Sequence, residues 1–415
     1  MSSSMSQENA KRVIIVGCGI AGPVIAILLQ KKGYTPIIVE KVRKLGDAGG
    51  SLFLQPNGLK VLNLVGLATA VTDNAPWVEH FWDKTHTGEV LGGGDLFGTL
   101  KETYGQPACG TKRTAFNLAL ERAVINAGIE FHSGWKLANI EESEIGVVAV
   151  SEDGQRIEGS FLIGCDGIKA SSRHILLGRK GYDEPEATYT GLVQTNGFSP
   201  TPKSLQNTML NVFGPAAHLI HYPVSPTHSS WALTQRQSEK ERESWLLATP
   251  EQIAAQKANF LKQFGDWVSP VPELLDGAER ILKYGIFDRP GLKVEQWYDG
   301  RCVLIGDASH PTSPHLGQGA NQAMEDCYHL QQLLPNAGPN ISKEELTKVF
   351  AEFAGLRQPK TAMLVAGARA QGERRVVAPE KMEERNEYMR QVWKNPDVFY
   401  KAYAEMMRGP FDAMA

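Results

Sequence analysis

The sequence is short of cysteine. Five occur in 415 residues (Cys18, Cys109, Cys165, Cys302 and Cys327), scattered and without a CxxC pair. That pattern supports neither a zinc site nor a disulfide framework, and reduced core thiols in a cytoplasmic protein are expected. The chain also lacks an excess of charge of one sign. Its 43 Lys and Arg stand against 46 Asp and Glu, for a formal net charge of −3. This disfavours a nucleic-acid partner, whose phosphates need a basic surface. No run of 18 apolar residues exists, so no membrane span is expected. The polar start MSSSMSQENAKR has no apolar core of the kind a secretory signal requires. No internal repeat or long linker is evident. No Ser-His-Asp triad, carboxylate pair or metal-ligand cluster stands out. No metal is therefore expected.

What is present is patterned. In RVIIVGCGIAGPVIAILLQKKGYTPIIVEK, the β-branched run Val13 to Val16 reads as a buried strand. Gly17, Gly19 and Gly22 follow in GxGxxG spacing, Ala21 to Lys32 reads as a helix, and TPIIVE as a second buried strand ending at Glu40. Gly17 allows the tight turn, Gly19 lets backbone approach a pyrophosphate, and Gly22 lets helix and strand pack closely. The helix N-terminus offers free N–H groups to the phosphates. Glu40, 23 residues after Gly17, is placed to accept ribose hydroxyls and suits FAD or NAD better than NADP. The motif alone does not choose between FAD and NAD. Two further strands, Phe161 to Ile163 and Cys302 to Ile305, each run into a glycine-bearing acidic turn: Gly164, Asp166 and Gly167, then Gly306 and Asp307. For Asp166 an ordinary β-turn is an equal reading. In a doubly wound sheet such turns gather at the carboxyl edge, where ligands bind. Asp307 can accept a ribitol hydroxyl, the loop Pro314 to Gly319 can lie along a ring edge, and a helix from about Ala320 can aim its dipole at anionic charge.

These blocks resemble the FAD-dependent aromatic hydroxylases, single-component flavoprotein monooxygenases of the salicylate hydroxylase, urate hydroxylase and zeaxanthin epoxidase kind. GCGIAG with Glu40, GCDGIKASSR and GDASHPTSPHLGQGANQAMED carry the resemblance, supported by GGSLFLQPNGLKVLNLVGL, KRTAFNLAL and HYPV. It spans about Arg12 to about Arg369, with one departure, Ser309 in place of a more usual alanine. The resemblance implies FAD as the tightly bound cofactor, NADPH or NADH as a transient reductant and O2 as co-substrate. It makes Asp166 and Arg173 the polar members of the middle motif, gives Arg113 and Arg43 contacts to FAD, and sets Pro314, Leu316, Gly317 and Gln318 against the isoalloxazine ring. Ile20, Ala21, Lys41, Gly50, Gly167, Gly306, Gly319, Ala320 and Asn321 complete the implied cofactor contacts. The implied reaction inserts one oxygen atom into an aromatic or other electron-rich unsaturated small molecule, through a flavin C4a-hydroperoxide. A flavin dehydrogenase without oxygen insertion, and a non-catalytic flavin-fold binding protein, are the rival readings.

The expected fold is α/β (α+β): a Rossmann-like FAD-binding domain (1–74, 106–181, 285–358), an inserted and mainly antiparallel substrate sheet (75–105, 182–284), and a C-terminal helical segment (359–415). Thr249 with Pro250 reads as a helix start. SKEELTKVFAEFAGLRQPKTAMLVAGARA reads as two helices around Pro359, and GGGDLFG (Gly92 to Gly98) as a mobile loop. His310 reads as a structural hydrogen-bonding residue. Substrate candidates on the sheet are Gln194, His218, His221, Tyr222, Trp231, Gln235 and Arg236, each more readily explained as core or surface. Substrate identity and oligomeric state are not legible.

Overall fold

The computed structural model describes residues 9–44, 50–243, 247–338 and 341–411, with backbone only at 396–400. The polar stretch 1–8 lies outside them. The chain opens with β1 (Arg12–Val16), α1 (Ala21–Lys31) and β2 (Thr35–Glu40). It continues through β3 (Ser51–Leu54), α2 (Pro56–Leu64), α3 (Ala68–Thr72), β4 (His80–Thr85), β5 (Val90–Gly94), α4 (Leu100–Tyr104) and β6 (Cys109–Lys112). Next come α5 (Arg113–Asn126), β7 (Glu130–Ser133), β8 (Leu137–Glu142), β9 (Val147–Ser151), β10 (Arg156–Gly159), β11 (Phe161–Gly164) and α6 (Ser171–Arg179). The strands β12 (Thr188–Pro200), β13 (Thr208–Gly214), β14 (Ala217–Pro223) and β15 (His228–Arg236) follow, then α7 (Pro250–Phe264), α8 (Val271–Asp276) and β16 (Arg280–Asp288). The chain ends with β17 (Tyr298–Asp299), β18 (Cys302–Leu304), α9 (Gly319–Leu333), α10 (Lys343–Arg375), α11 (Met382–Lys394) and α12 (Pro396–Arg408).

Two sheets organise the molecule. The first has the order β17-β18-β11-β1-β2-β7, parallel except at β17/β18. Its central strands are apolar on both faces because both are covered, one by helices such as α1 and the other by the three-stranded sheet β10-β9-β8. The order places the ends of β1, β11 and β18 side by side. Gly17 has φ +107°, and a Cβ there would meet the Cys165 carbonyl oxygen at 2.5 Å; one at Gly22 would meet the Gly17 carbonyl at 1.9 Å. Only glycine permits the two turns to touch. The second sheet has the order β16-β12-β15-β14-β13-β4-β5 and is antiparallel except at β13/β4. One face packs on α7 and α8 through Trp231, Phe260, Phe264 and Leu274. Its other face looks toward the first sheet.

Several expectations change. Helix α10 runs unbroken through Pro359. A proline removes one N–H from the ladder, but next to it buried Arg357 anchors the helix to α9, and the Thr361 hydroxyl donates to the Arg357 and Gln358 carbonyls. The boundary drawn at 359 thus falls inside a helix, and that drawn at 285 inside β16. Gly92 to Gly98 is no free loop: Gly92 and Gly93 belong to β5, where a Cβ would meet the Trp393 ring at 2.0 Å and the Trp82 ring at 2.3 Å respectively. Thr249 does cap α7, in a reciprocal box with Gln252. The C-terminal helices fold back over the cavity side, where buried Lys60 donates to the Arg408 and Phe411 carbonyls at 2.8 and 2.7 Å. All five cysteines are free and buried.

Candidate functional site

The carboxyl edge of the first sheet forms one wall of a cavity of about 320 Å³, and the inner face of the second sheet forms the other. Gly19, Ile20 and Ala21 bring the start of α1 to it; Gly50, Arg113, Gly167, Gly306 and Asp307 add the neighbouring turns. Pro314, Leu316, Gly317, Gly319 and Ala320 contribute the loop and the start of α9. Gly317 takes the left-handed conformation at φ +63° and donates its N–H to the Pro314 carbonyl at 3.0 Å, which turns the loop tightly into α9.

The other expected cofactor residues stand behind this wall. Glu40 is buried and accepts the N–H groups of Cys18 (2.7 Å) and Val42 (2.9 Å), fixing the turn after β1. Asp166 accepts from the Ser172 backbone at 2.9 Å and from the Ser172 hydroxyl, fastening the start of α6. Burial pushes its carboxyl upward. Arg173 is buried and bonds Glu184, the Ile168 carbonyl and the Asp307 and Ala308 carbonyls, so it ties the middle turn to the third. Lys41 and Arg43 are exposed, with the Arg43 stem beside Gly134. The side chains of Gln318 and Asn321 turn from the cavity. Gln318 accepts from Asn57 and Gln322, while Asn321 holds Gln55, Phe53 and Gly317 backbone groups. Gln318, expected against the ring, is not among the residues that line the cavity.

Asp307 differs from every other acid here. It is half-buried, and its carboxylate accepts no hydrogen bond from the described residues. Burial raises its pKa, opposed by His310, Arg113, Arg173 and Arg289. By contrast, Asp326 below the loop is fully engaged by His310 (2.6 Å), Arg357 (2.6 Å) and the Gly306 N–H (2.8 Å). Burial alone would raise its carboxyl, but His310 and Arg357 hold it well below the usual carboxylate range. His310 is thus a structural partner that holds the loop.

Of the seven substrate candidates, Gln194, His218 and Tyr222 line the cavity. His221, Trp231, Gln235 and Arg236 do not. The reason is the period of two. Gln194 and His218 both pair with Thr234, and Tyr222 with Ser230, whereas His221 pairs with Trp231 on the opposite face. Trp231 packs on Phe260, and Gln235 bonds Gln263 of α7. Arg236 lies at the strand end, its Nε on the Val376 carbonyl at 2.7 Å. His221, buried to 0% exposure, has its pKa pushed down to about 3 by burial. The cavity also takes Phe53, Phe81, Phe97, Met209, Asn196, Tyr284, His315, Arg375 and Tyr403, which sequence reasoning missed. For Asn196 and Tyr284 the signal was available, since they follow Gln194 in the same alternation and register. His315 sits in the expected loop, and for the rest no signal was available, because distant segments contribute them.

The fold and edge define a dinucleotide-binding α/β protein with a roofed ligand cavity. A family model described as FAD binding domain matches residues 10–346. The chain is 31% identical over 346 residues to a 3-amino-4-hydroxybenzoate 2-monooxygenase of Streptomyces platensis, covering 80% of this chain and 83% of that one. It is 26% identical over 402 residues to a 3-hydroxybenzoate 6-hydroxylase of Polaromonas naphthalenivorans, covering 94% of each. The fold matches that of Klebsiella pneumoniae HpxO complexed with FAD and uric acid, at TM-score 0.82 and 21% identity, over 96% of this chain and 97% of that one. The chain belongs to the FAD-dependent aromatic hydroxylase family and is an FAD-dependent monooxygenase. The residues present fit the cofactor. Open space lies where a Cβ would stand on Gly19 and Gly167, and Asp307 is an acceptor waiting for a donor. Among the described residues no cluster fit to hold a metal ion occurs, and no helix is long and apolar enough to cross a membrane.

Proposed function

We propose that the protein hydroxylates a small aromatic molecule, taking electrons from NADPH or NADH and oxygen from O2. The observation that carries this is the cavity itself, in which the strand-end turns meet an aromatic-lined sheet face. The named relatives, which act on hydroxylated benzoates, support the same class. Bound FAD supplies the redox chemistry and the activation of dioxygen. The chain supplies position, charge and dryness. Gly19 and the start of α1 receive the pyrophosphate, Glu40 the ribose, and Asp307 a ribitol hydroxyl. Arg113 adds positive charge over the cavity. The Pro314 to Gly317 loop offers backbone to the ring edge. Phe53, Phe81, Phe97, Met209 and Tyr222 exclude water from the reacting face, where activated oxygen would otherwise be lost as hydrogen peroxide. Gln194 and His218 contact the substrate. With one dinucleotide fingerprint, the nicotinamide binds transiently.

We assign the FAD-binding part to 1–74, 106–181 and the region after β16, and the substrate part to 75–105 and 182–288, with α10 shared between them. The free thiols suit the cytoplasm. The test is product formation under ¹⁸O₂. One labelled atom per product, and NAD(P)H oxidation accelerated by a phenolic substrate, are expected. Label arriving only from H₂¹⁸O, or equal turnover without oxygen, would overturn the reading.

A further inference from the structure

Beside the Pro314 to Gly317 loop the cavity carries a charge that the chain leaves open. Arg375, the last residue of α10, lines the cavity and is only 8% exposed. Its Nη1 donates to the His315 carbonyl at 2.9 Å. Its Nε is buried without a partner, its Nη2 makes no hydrogen bond, and the side chain makes no ion pair among the described residues. The Nε–Nη2 edge is the fork that takes a carboxylate with two parallel hydrogen bonds.

No neighbour neutralises it. The nearby carboxylate, Asp83, is spent on Trp393 Nε1 and Asn211 Nδ2, each at 2.8 Å, and burial raises its pKa. Asn211 Oδ1 in turn accepts from His218 Nε2 at 2.9 Å. His218 and His315 are held neutral by burial and by the Arg375 charge. A second buried guanidinium, Arg385, bonds the Gly214 and Arg375 carbonyls through Nη1 and Asn386 through Nε, and its Nη2 is buried without a partner among the described residues. Two fixed positive charges thus face one carboxylate. A buried guanidinium without an anion is costly. Around Arg375 the wall is Phe81, Phe97, Met209 and Tyr403.

We propose that Arg375 is a specificity-determining residue that binds a carboxylate on the aromatic substrate, with the ring held in the slot formed by Phe81, Phe97 and Met209. The proposal rests on the functional reading above, in which this end of the cavity holds substrate. It also orients the substrate, with its acid toward the last turn of α10.

The test uses the FAD-loaded enzyme and needs no turnover. Perturbation of the flavin absorbance is titrated with benzoate, 3-hydroxybenzoate and 3-amino-4-hydroxybenzoate, each against its uncharged amide. Acids should bind at least about tenfold tighter than their amides, the scale of a charge-assisted hydrogen bond. In R375M that preference should fall to about even, and R375K should keep part of it, as a point charge without the fork. A wild-type enzyme that favours no acid over its amide, absent binding included, overturns the proposal. So does an R375M enzyme with normal flavin content and an unchanged ratio. The wild-type comparison decides the matter if R375M does not fold. Failure of ¹⁸O incorporation alongside an intact acid preference would reject the oxygenase reading and leave the anion site standing.

Discussion

At Asp307 a half-buried carboxylate faces open space with no donor from the described residues, while Asp166 and Asp326 nearby are filled by the chain's own groups. The difference separates a ligand contact from a brace. Asp307→Ala should weaken FAD binding by about tenfold to about a hundredfold, the value of a hydrogen bond to a charged group; a fluorescence titration of the apoenzyme that matches wild type would remove the assignment. Glu40 has both roles. Glu40→Ala leaves the Cys18 and Val42 N–H groups without their acceptor and should cost about 1–3 kcal/mol of stability as well as FAD affinity. Flavin that remains bound should still be reduced at the wild-type rate, since the proposed place of Glu40 is by the ribose; loss of reduction in fully loaded enzyme would contradict this. The glycines and acids of the three turns were legible because each requirement is local: a turn, a close approach, a strand end. Arg375 was not, because its meaning lies in the partners it lacks, and sequence does not show an absent partner.

At the scale of elements, α9 and α10 are joined by a buried ionic cluster. Arg357 meets Glu325 at 2.9 Å and Asp326 at 2.6 Å, and Lys360 meets Glu325 at 2.7 Å. Arg357→Met should destabilise by about 3–5 kcal/mol, because it removes the cation that two buried carboxylates share and leaves them to Lys360 and His310; a urea midpoint near wild type would show that those partners suffice. Both carboxyls titrate below their usual range in the fold. Their stabilisation is therefore present above about pH 4, the unfolded range, and is lost as pH falls below it. This cluster also explains why the proline rule failed at Pro359: anchoring two residues away outweighs a missing ladder bond. The glycine rule failed at Gly92 and Gly93 for a related reason, since two tryptophans need the space a side chain would fill. The roofing sheet was legible as strands, but its facing was ambiguous. With β13 buried at every position, α7 and α8 on one side and the cavity on the other, alternation of polarity is lost.

At the scale of the whole molecule, the cavity lies between two sheets with separate cores, so ligand and fold are coupled. FAD at a hundred times its dissociation constant should stabilise the protein by about 2.7 kcal/mol, read as a rise in the thermal midpoint of apoenzyme on titration. Acid should act in the opposite sense. Burial pushes His221 and His315 down to about 3, while an unfolded histidine titrates near 6.5. Between those values the unfolded chain binds more protons, so stability is full above about pH 6.5 and falls toward pH 3, by up to about 1.4 kcal/mol per histidine per pH unit. Urea midpoints at pH 7 and pH 5.5 should differ accordingly, and His221→Leu should flatten the difference; equal midpoints in the wild type would place these rings in contact with solvent.

The few cysteines have a consequence for the enzyme's survival. An oxygen-activating flavoprotein that turns over without productive substrate bathes itself in peroxide, and peroxide attacks thiolates rather than thiols. Burial pushes Cys109 and Cys302 up to about 12, and burial together with Glu40 does the same to Cys18. Cys165 and Cys327 are raised further still. None offers a reactive sulfur at the pH of catalysis. Idle turnover should therefore leave all five thiols titratable after denaturation, and among the described residues the first sulfur at risk is a thioether, Met363, which is 69% exposed on α10.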